Sequence, residues 1–183
     1  MPDWLFAYGS LIWRPDFAYL ERRRAVLADH VRQFWQGSHD HRGTPQAPGR
    51  VVTLVGEPGR RCAGMAYRLD PATREAVLDA LDHREKNGYE RRSVSLIDDS
   101  GELIEALVYL APPGNFAWLG EADLAQLAAQ VAASHGPSGA NADYLRELVV
   151  ALERLGADDD AHLIELDRQV QRIVRRRIEA GGT

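Results

Sequence analysis

Short apolar runs that end at glycine or a polar residue dominate the first 110 residues and predict strands. Gly9 and Gly56 each close such a run, as the end of a buried strand would require. Residues 25–35 fit either a strand or a helix, and we favour a strand. The runs that are richest in aromatic or β-branched residues are 4–8, 50–55, 62–69, 93–97 and 103–110.

A helical pattern interrupts this β-rich segment over residues 72–86. Asp70 suits the N-cap, Pro71 suits the first helical position, and Asn87-Gly88 is a natural stop. The last third of the chain changes character and predicts three more helices, over residues 121–134, 142–155 and 159–178. The pattern therefore predicts a mixed α+β fold, in which a curled sheet carries one inserted helix and a helical C-terminal third.

Composition narrows the class of protein. The chain has 183 residues and a net charge of −5, which suits a single soluble domain spanning residues 1–183 and argues against a general nucleic-acid binder. Cys62 is the only cysteine, so an internal disulfide is excluded. No run approaches the roughly 18 apolar residues that a membrane span needs, and the N-terminus lacks the layout of a signal peptide. We therefore expect a cytoplasmic protein that binds no membrane, and we interpret the basic residues 175–177 as a solvated helix face rather than a polyanion site.

The turn formed by Tyr8, Gly9, Ser10, Leu11, Ile12 and Trp13 is the first candidate for chemistry. A strand that runs into Gly-Ser can present successive backbone N–H groups to a carboxylate or to a developing oxyanion. Ser10 as a nucleophile is less favoured, because the Gly-x-Ser-x-Gly elbow is absent. A plain strand end remains the structural alternative.

Glu85 is the second candidate. The apolar stripe through Val77 and Leu81 places position 85 on the same, inward face of the predicted helix. Partial burial and the negative end of a helix both disfavour an ionised carboxylate, and they raise its pKa towards the range useful for proton transfer. The alternative for Glu85 is a surface ion pair with Arg84, Arg91 or Arg92. For Asp82, a local salt bridge is favoured over a second catalytic carboxylate.

Two loops carry weaker signals. His39, Asp40 and His41 suggest a metal only faintly, because a two-residue spacing on a loop is a poor ligand pattern. Arg42 has the fork that binds a substrate carboxylate, although a loop brace explains it as well. The Gly-Pro-Ser-Gly segment at residues 136–139 lacks a phosphate-loop pattern and suggests a turn between helices. Tyr144, in the first turn of the following helix, is placed to lean over a pocket.

Five blocks of this chain, in order, resemble the ChaC family of glutathione-specific γ-glutamylcyclotransferases. The similarity runs from about residue 4 to about residue 155 and is looser after Asp159. The blocks are Tyr8-Gly9-Ser10-Leu11-Ile12-Trp13-Arg14-Pro15-Asp16-Phe17, then 34–38 with 40–43, 48–54, Leu81-Asp82-His83-Arg84-Glu85-Lys86-Asn87-Gly88-Tyr89, and 136–141 with 144–145.

The resemblance implies a small β-barrel of the γ-glutamylcyclotransferase type with surrounding helices. It also implies conversion of glutathione to 5-oxoproline and cysteinylglycine. Carried over residue by residue, Tyr8 to Trp13 form the substrate-binding loop and Glu85 is the proton acceptor; Arg42 and Tyr144 are our own further expectations for substrate contact. Because the substrate supplies its own nucleophile, no metal or cofactor is required. The alternatives are a cyclotransferase for other γ-glutamyl amino acids or amines, and a module that binds a γ-glutamyl peptide without cleaving it.

Overall fold

The structure of the chain is a computed structural model that describes residues 2–157 and 160–181. Within these residues a short 3₁₀ turn, Ser10–Ile12, follows the first strand. The strands are β1 (Trp4–Ala7), β2 (Glu21–Ser38), β3 (Gly49–Arg68), β4 (Glu90–Asp98), β5 (Leu103–Leu110), β6 (His135–Gly136) and β7 (Gly139–Ala140). The helices are α1 (Arg74–Arg84), α2 (Leu124–Ala133), α3 (Asn141–Leu155) and α4 (Ala161–Gly181).

The strands β1 to β5 close into a barrel in the order β1-β3-β2-β4-β5. β1 closes it, because Leu5 pairs with Tyr67 of antiparallel β3 on one side and with Leu107 of parallel β5 on the other. Side chains such as Leu5 and Leu96 are completely buried in the core, and each burial of this size contributes about 1.5–3 kcal/mol. The prediction of a small barrel with a helical C-terminal third is confirmed.

The strand pattern also explains where a site can form. The ends of β1, β2 and β5 and the starts of β3 and β4 all lie at one end of the barrel, as the antiparallel register Ser38↔Gly49 and Glu90↔Leu110 requires. The turn after β1, the loop between β2 and β3, and the segment between α1 and β4 therefore meet at that end.

The predicted interruption at Gly56 is a bulge and not a strand end. Gly56 pairs with His30 and Arg61 with Ala28, so four residues of β3 lie opposite the single residue Asp29. The carboxylate of Asp29 accepts the N–H of Gly59 at 2.7 Å and supports the bulge. The two predicted strands, 50–55 and 62–69, are therefore parts of one strand, because both pair with β2.

The inserted helix α1 is shorter than predicted. Asp70 caps a preceding turn, where its side chain accepts the N–H of Ala72 at 2.9 Å, and the helix itself begins at Arg74. Leu78 and Leu81 are buried against the barrel. Glu85 is the C-cap, and its N–H donates to the carbonyl of Leu81.

The C-terminal helices pack on one another and on the barrel. Asn141 fixes the start of α3, because its amide exchanges hydrogen bonds of 2.7 and 2.8 Å with the backbone of Arg50 in β3. Arg32 of β2 is fully buried and pairs with Asp160, just before α4, at 2.5 Å. The predicted start of this last helix, Asp159, lies outside the described residues. No helix in the described part of the chain is long and apolar enough to cross a membrane.

Candidate active site

Two adjoining cavities, of about 320 Å³ and about 60 Å³, open at the end of the barrel where the loops meet. Ser10, Glu85, Tyr89 and Tyr144 line both of them. The smaller cavity reaches the turn after β1, and the larger one extends over the loop that follows β2. The four shared residues therefore mark the boundary between an inner and an outer compartment.

Glu85 is a half-buried carboxylate at this boundary, with 20% of its side chain exposed. Burial raises the pKa of Glu85 above its ordinary value, and the negative charge of Asp40 raises it further. Arg84, whose Nε lies 3.4 Å from the Glu85 carboxylate, acts in the opposite direction. A carboxyl group with a raised pKa, facing a cavity, is suited to accepting a proton and returning it.

Arg84 joins the end of α1 to the turn after β1. Its Nη2 donates to Ser10 Oγ at 2.8 Å, and its Nη1 lies 3.5 Å from Asp16. The alternative of an ion pair for Glu85 is therefore realised with Arg84, but the pair still leaves the carboxylate on the cavity. Ser10 Oγ accepts from a guanidinium, an arrangement that does not activate a serine nucleophile.

The turn after β1 lies directly against the aromatic wall of the site. A Cβ atom at Gly9 would come within 3.2 Å of Val52 and 3.4 Å of the Tyr144 hydroxyl, so glycine permits this close approach. The N–H groups of Ile12 and Trp13 donate within the turn to Gly9 and Ser10. The N–H groups that begin such a turn have no partner inside it and can face a ligand.

Four tyrosines, Tyr8, Tyr89, Tyr109 and Tyr144, line the inner compartment. Tyr8 donates to the carbonyl of Tyr109 at 2.8 Å, and Tyr89 donates to the carbonyl of Val52 at 2.7 Å. Burial raises the pKa of Tyr8, of Tyr89 and of Tyr144, and the Glu85 carboxylate adds to each increase. These phenols therefore stay neutral, and their rings cover part of Glu85 while 20% of its side chain stays exposed.

Arg42 lies at the rim of the outer compartment. Its Nη1 donates to the carbonyl of Ala140 at 3.1 Å, and its guanidinium lies 5.7 Å from the centre of the Tyr144 ring. Glu147 lies 3.5 Å away and also accepts the indole N–H of Trp13 at 3.2 Å. Arg42 thus braces the loop and lines the cavity at once.

The structure brings most of the predicted site residues together and leaves one outside. Tyr8, Gly9, Ser10 and Leu11 line the inner compartment, Ser10, Trp13 and Arg42 line the outer one, and Glu85 and Tyr144 line both. The side chain of Ile12 is buried in the core and lines neither cavity. Its carbonyl instead accepts a hydrogen bond from the Tyr67 hydroxyl at 3.3 Å, which holds the turn in place.

The structure shows the partners of Asp82 and of the two histidines that follow β2. Asp82 accepts from the Tyr109 hydroxyl at 2.6 Å and pairs with Arg91 at 2.9 Å, so the local salt bridge is correct. His39 stacks on Phe116, and His41 contacts Ser138 Oγ at 3.1 Å. Among residues 2–157 and 160–181, no three histidine, cysteine or acidic side chains cluster as metal ligands.

A comparison with models of protein families shows to which family the chain belongs. The model of the family described as ChaC-like protein matches residues 3–173, nearly the whole chain. The chain belongs to this family.

Individual relatives of this ChaC-like chain carry related names. A zebrafish (Danio rerio) protein named glutathione-specific gamma-glutamylcyclotransferase 1 is 36% identical over 177 residues, which cover 94% of this chain and 90% of the relative. Gamma-glutamylcyclotransferase 2-3 of Arabidopsis thaliana is 39% identical over 183 residues, covering 95% and 91%. The crystal structure of a yeast γ-glutamyl cyclotransferase specific to glutathione superposes with a TM-score of 0.86 at 29% identity and covers 92% of this chain and 95% of that one.

Sequence reasoning gave little weight to three residues of this ChaC-like site. Arg84 entered only as an ion-pair partner, Asp40 only as a weak metal ligand, and Tyr89 only as part of a family block. Each stands within a block that resembles the family, and each lies beside Glu85 or lines the same cavity. Their positions inside the family blocks are the signal that would have pointed to them.

Proposed function

We propose that this protein is a γ-glutamylcyclotransferase that converts glutathione to 5-oxoproline and cysteinylglycine. The observation that carries the proposal is the half-buried Glu85 carboxylate, whose pKa is raised and which faces the same cavities as the turn after β1. The names of the relatives support the reaction and favour glutathione over other γ-glutamyl compounds.

The reaction is an intramolecular amide exchange. The α-amine of the γ-glutamyl group attacks its own γ-carbonyl, a C–N bond closes a five-membered ring, and the C–N bond to the cysteine nitrogen breaks. Because the α-amine has an ordinary pKa of about 7.7–8.0, it is mostly protonated at neutral pH and must lose a proton before it attacks. The departing nitrogen must gain one.

In our proposal Glu85 performs both proton transfers. Its carboxylate accepts the proton that the α-ammonium loses before attack and gives it to the leaving nitrogen. The second proton, which the ring nitrogen loses when it becomes the neutral lactam, follows the same path, so cysteinylglycine leaves with a protonated amine and the Glu85 carboxylate is restored. General acid–base catalysis of this kind contributes about 10²–10⁴-fold. The raised pKa matters because a carboxylate of ordinary pKa is a weak base for the first transfer, from the α-ammonium.

The turn after β1 supplies the remaining elements. Tyr8, Gly9, Ser10, Leu11 and Trp13 bind the γ-glutamyl group, and the backbone N–H groups at the start of the Ser10–Ile12 turn stabilise the oxyanion of the tetrahedral intermediate. Loss of one such donor typically costs about 2.7–4 kcal/mol. Folding the γ-glutamyl chain into its near-attack shape lowers the barrier further. Arg42 and Tyr144 line the outer compartment, which in our proposal takes the α-amine of the γ-glutamyl group beside Glu85 and the cysteinylglycine portion beyond it.

The cytosol is the compartment that we propose for this activity. Cys62 is the single cysteine of the chain, so no internal disulfide can form, as is usual for proteins of the cytosol, where glutathione keeps thiols reduced. The substrate is then present where the enzyme is.

Product analysis tests the proposal. Purified protein is mixed with reduced glutathione, and the products are separated by chromatography and identified by mass. We expect 5-oxoproline and cysteinylglycine in equal amounts, and a much slower release of 5-oxoproline from γ-glutamyl-alanine. Intact glutathione after prolonged incubation would contradict the proposal.

A further inference from the structure

Asp40 is a second carboxylate on the cavity that Glu85 faces. Its Oδ1 atom is buried and accepts no hydrogen bond from the residues that the structure describes. A buried carboxylate oxygen without a donor is unfavourable, and such atoms are normally satisfied. The donor for Asp40 must therefore come from outside the chain, as water in the free protein and as a polar hydrogen of the ligand in the complex.

The loop that carries Asp40 is held tightly in place. Ser38 and Arg42 lie two positions before and two positions after Asp40. They are joined by a hydrogen bond in which the N–H of Arg42 donates to Ser38 Oγ at 2.9 Å. A Cβ atom at Gly43 would overlap the backbone of Gly49, so these two segments pack backbone against backbone. The backbone that carries Asp40 is therefore held in place beside the cavity.

The charge of the substrate decides which donor Asp40 accepts. Under the proposed function, the ligand is a γ-glutamyl peptide with two carboxylates, which Asp40 repels, and one cation, the α-ammonium. Glu85 must contact this same nitrogen to remove its proton. Asp40 and Glu85 line one cavity, and the charge of Asp40 acts on the Glu85 carboxylate, so one nitrogen can serve both.

We infer that Asp40 binds the α-ammonium of the γ-glutamyl group and holds its nitrogen beside Glu85. This inference rests on the proposed function and adds a binding residue to it. One N–H of the ammonium donates to Asp40 Oδ1 while a second proton passes to Glu85. The lone pair that this transfer exposes is then free to attack the γ-carbonyl, because Asp40 continues to hold the nitrogen by another N–H.

A consequence is selection for a free α-amine. Charge-assisted hydrogen bonds between ammonium and carboxylate are the strong ones in proteins. An N-acylated or desamino γ-glutamyl compound offers no cation to Asp40, so it gains nothing from this carboxylate.

Binding to an inert enzyme tests the inference. In the Glu85→Gln background, which removes the proposed base, dissociation constants are measured by calorimetry for glutathione and for its desamino analogue, glutaryl-cysteinylglycine. If the analogue binds too weakly for direct calorimetry, its dissociation constant is obtained from its competition with glutathione. Adding Asp40→Asn, which keeps the shape and removes the charge, should weaken glutathione binding about tenfold or more. The analogue should change by less than about threefold. Asp79→Asn, an exposed change on α1, should alter neither constant.

The outcomes separate the two ideas. Equal weakening for both ligands would assign Asp40 a structural role, and unchanged or tighter binding of glutathione would remove it from the ammonium site; either result overturns the inference while glutathione turnover by the unmodified protein stands. The proposed function would instead be overturned, and the inference with it, if two results came together: no glutathione turnover by the unmodified protein and no glutathione binding by the Glu85→Gln variant.

Discussion

Arg84 Nη2 lies 2.8 Å from Ser10 Oγ, so one hydrogen bond joins the end of α1 to the turn after β1. The same guanidinium lies 3.4 Å, through its Nε, from the Glu85 carboxylate. Arg84 therefore links the proposed base to the proposed substrate-binding turn, and its charge opposes the effect of burial on the pKa of Glu85.

Replacing Arg84 should move the pH dependence of catalysis. Without the arginine, burial and Asp40 act unopposed, so the pKa of Glu85 rises further. The base is active when deprotonated, and the acid limb of kcat/KM should therefore move to higher pH in Arg84→Gln. Arg84→Lys keeps the charge and should leave that limb close to its original position. Profiles of kcat/KM against pH measure this, and an acid limb that is unchanged or lower in Arg84→Gln would count against the pairing.

Glu85→Gln should make the protein more stable at neutral pH than the unmodified chain. The pKa of Glu85 in the folded protein is raised above its ordinary value of 4.5. At pH values between the ordinary pKa and the folded pKa, the unfolded chain therefore binds fewer protons than the folded protein. Stability then falls as the pH rises through this window. In the unmodified protein, the ionised Glu85 lowers the free energy of unfolding by its full amount at pH values above the pKa of Glu85 in the folded protein. At pH values below its pKa in the unfolded chain, this destabilisation is absent.

Thermal unfolding of the two proteins at several pH values measures this difference. The gap in Tm should be present at pH 7 and should disappear below about pH 4. Asp82→Asn serves as the control, because it removes a carboxylate that is paired with Arg91 and hydrogen-bonded to Tyr109, and it should lower stability. A Glu85→Gln variant that is less stable than the parent at pH 7 would show that the carboxylate is better satisfied than the structure indicates.

Gly136→Ala should disturb the loop that carries Asp40 and Arg42. A Cβ atom at position 136 would overlap the carbonyl of His41 and the backbone of Gly43. We expect a loss of about 1–3 kcal/mol of stability, the usual cost of overpacking, together with a raised KM for glutathione.

Gly56→Ala is the matched control for that substitution. Its nearest neighbour, the carbonyl of Asp29, would lie 4.0 Å from the new Cβ atom. This variant should keep both its stability and its KM. Equal effects of the two substitutions would mean that the backbone contact at Gly136 has no special role.

Much of the fold could be predicted from the sequence because the signals are local. Asn87-Gly88 predicts a stop for the inserted helix, which ends three residues earlier at Arg84, and turn residues interrupt the strand runs. The continuity of β3 across Gly56 could not be predicted, because it depends on pairing with β2 and on the bulge opposite Asp29. A turn signal alone does not distinguish a bulge from a strand end.

The candidate site shows the same division. The inward position of Glu85 follows from helical spacing, whereas the convergence of Ser10, Tyr144 and Asp40 on it depends on barrel closure and on the docking of α3 through Asn141. Contacts between residues so distant in sequence leave no periodic trace. The catalytic role of Glu85 and the single-domain organisation of residues 1–183 remain predictions.

The turnover of glutathione by Glu85→Gln tests the account most directly. The variant keeps the shape of the side chain but cannot accept a proton from the α-amine. We predict that kcat for 5-oxoproline release falls about 10²–10⁴-fold while the dissociation constant of glutathione stays within a few-fold of its original value. Full release of 5-oxoproline by the folded variant would show that another group moves the proton, and the proposed mechanism would be wrong.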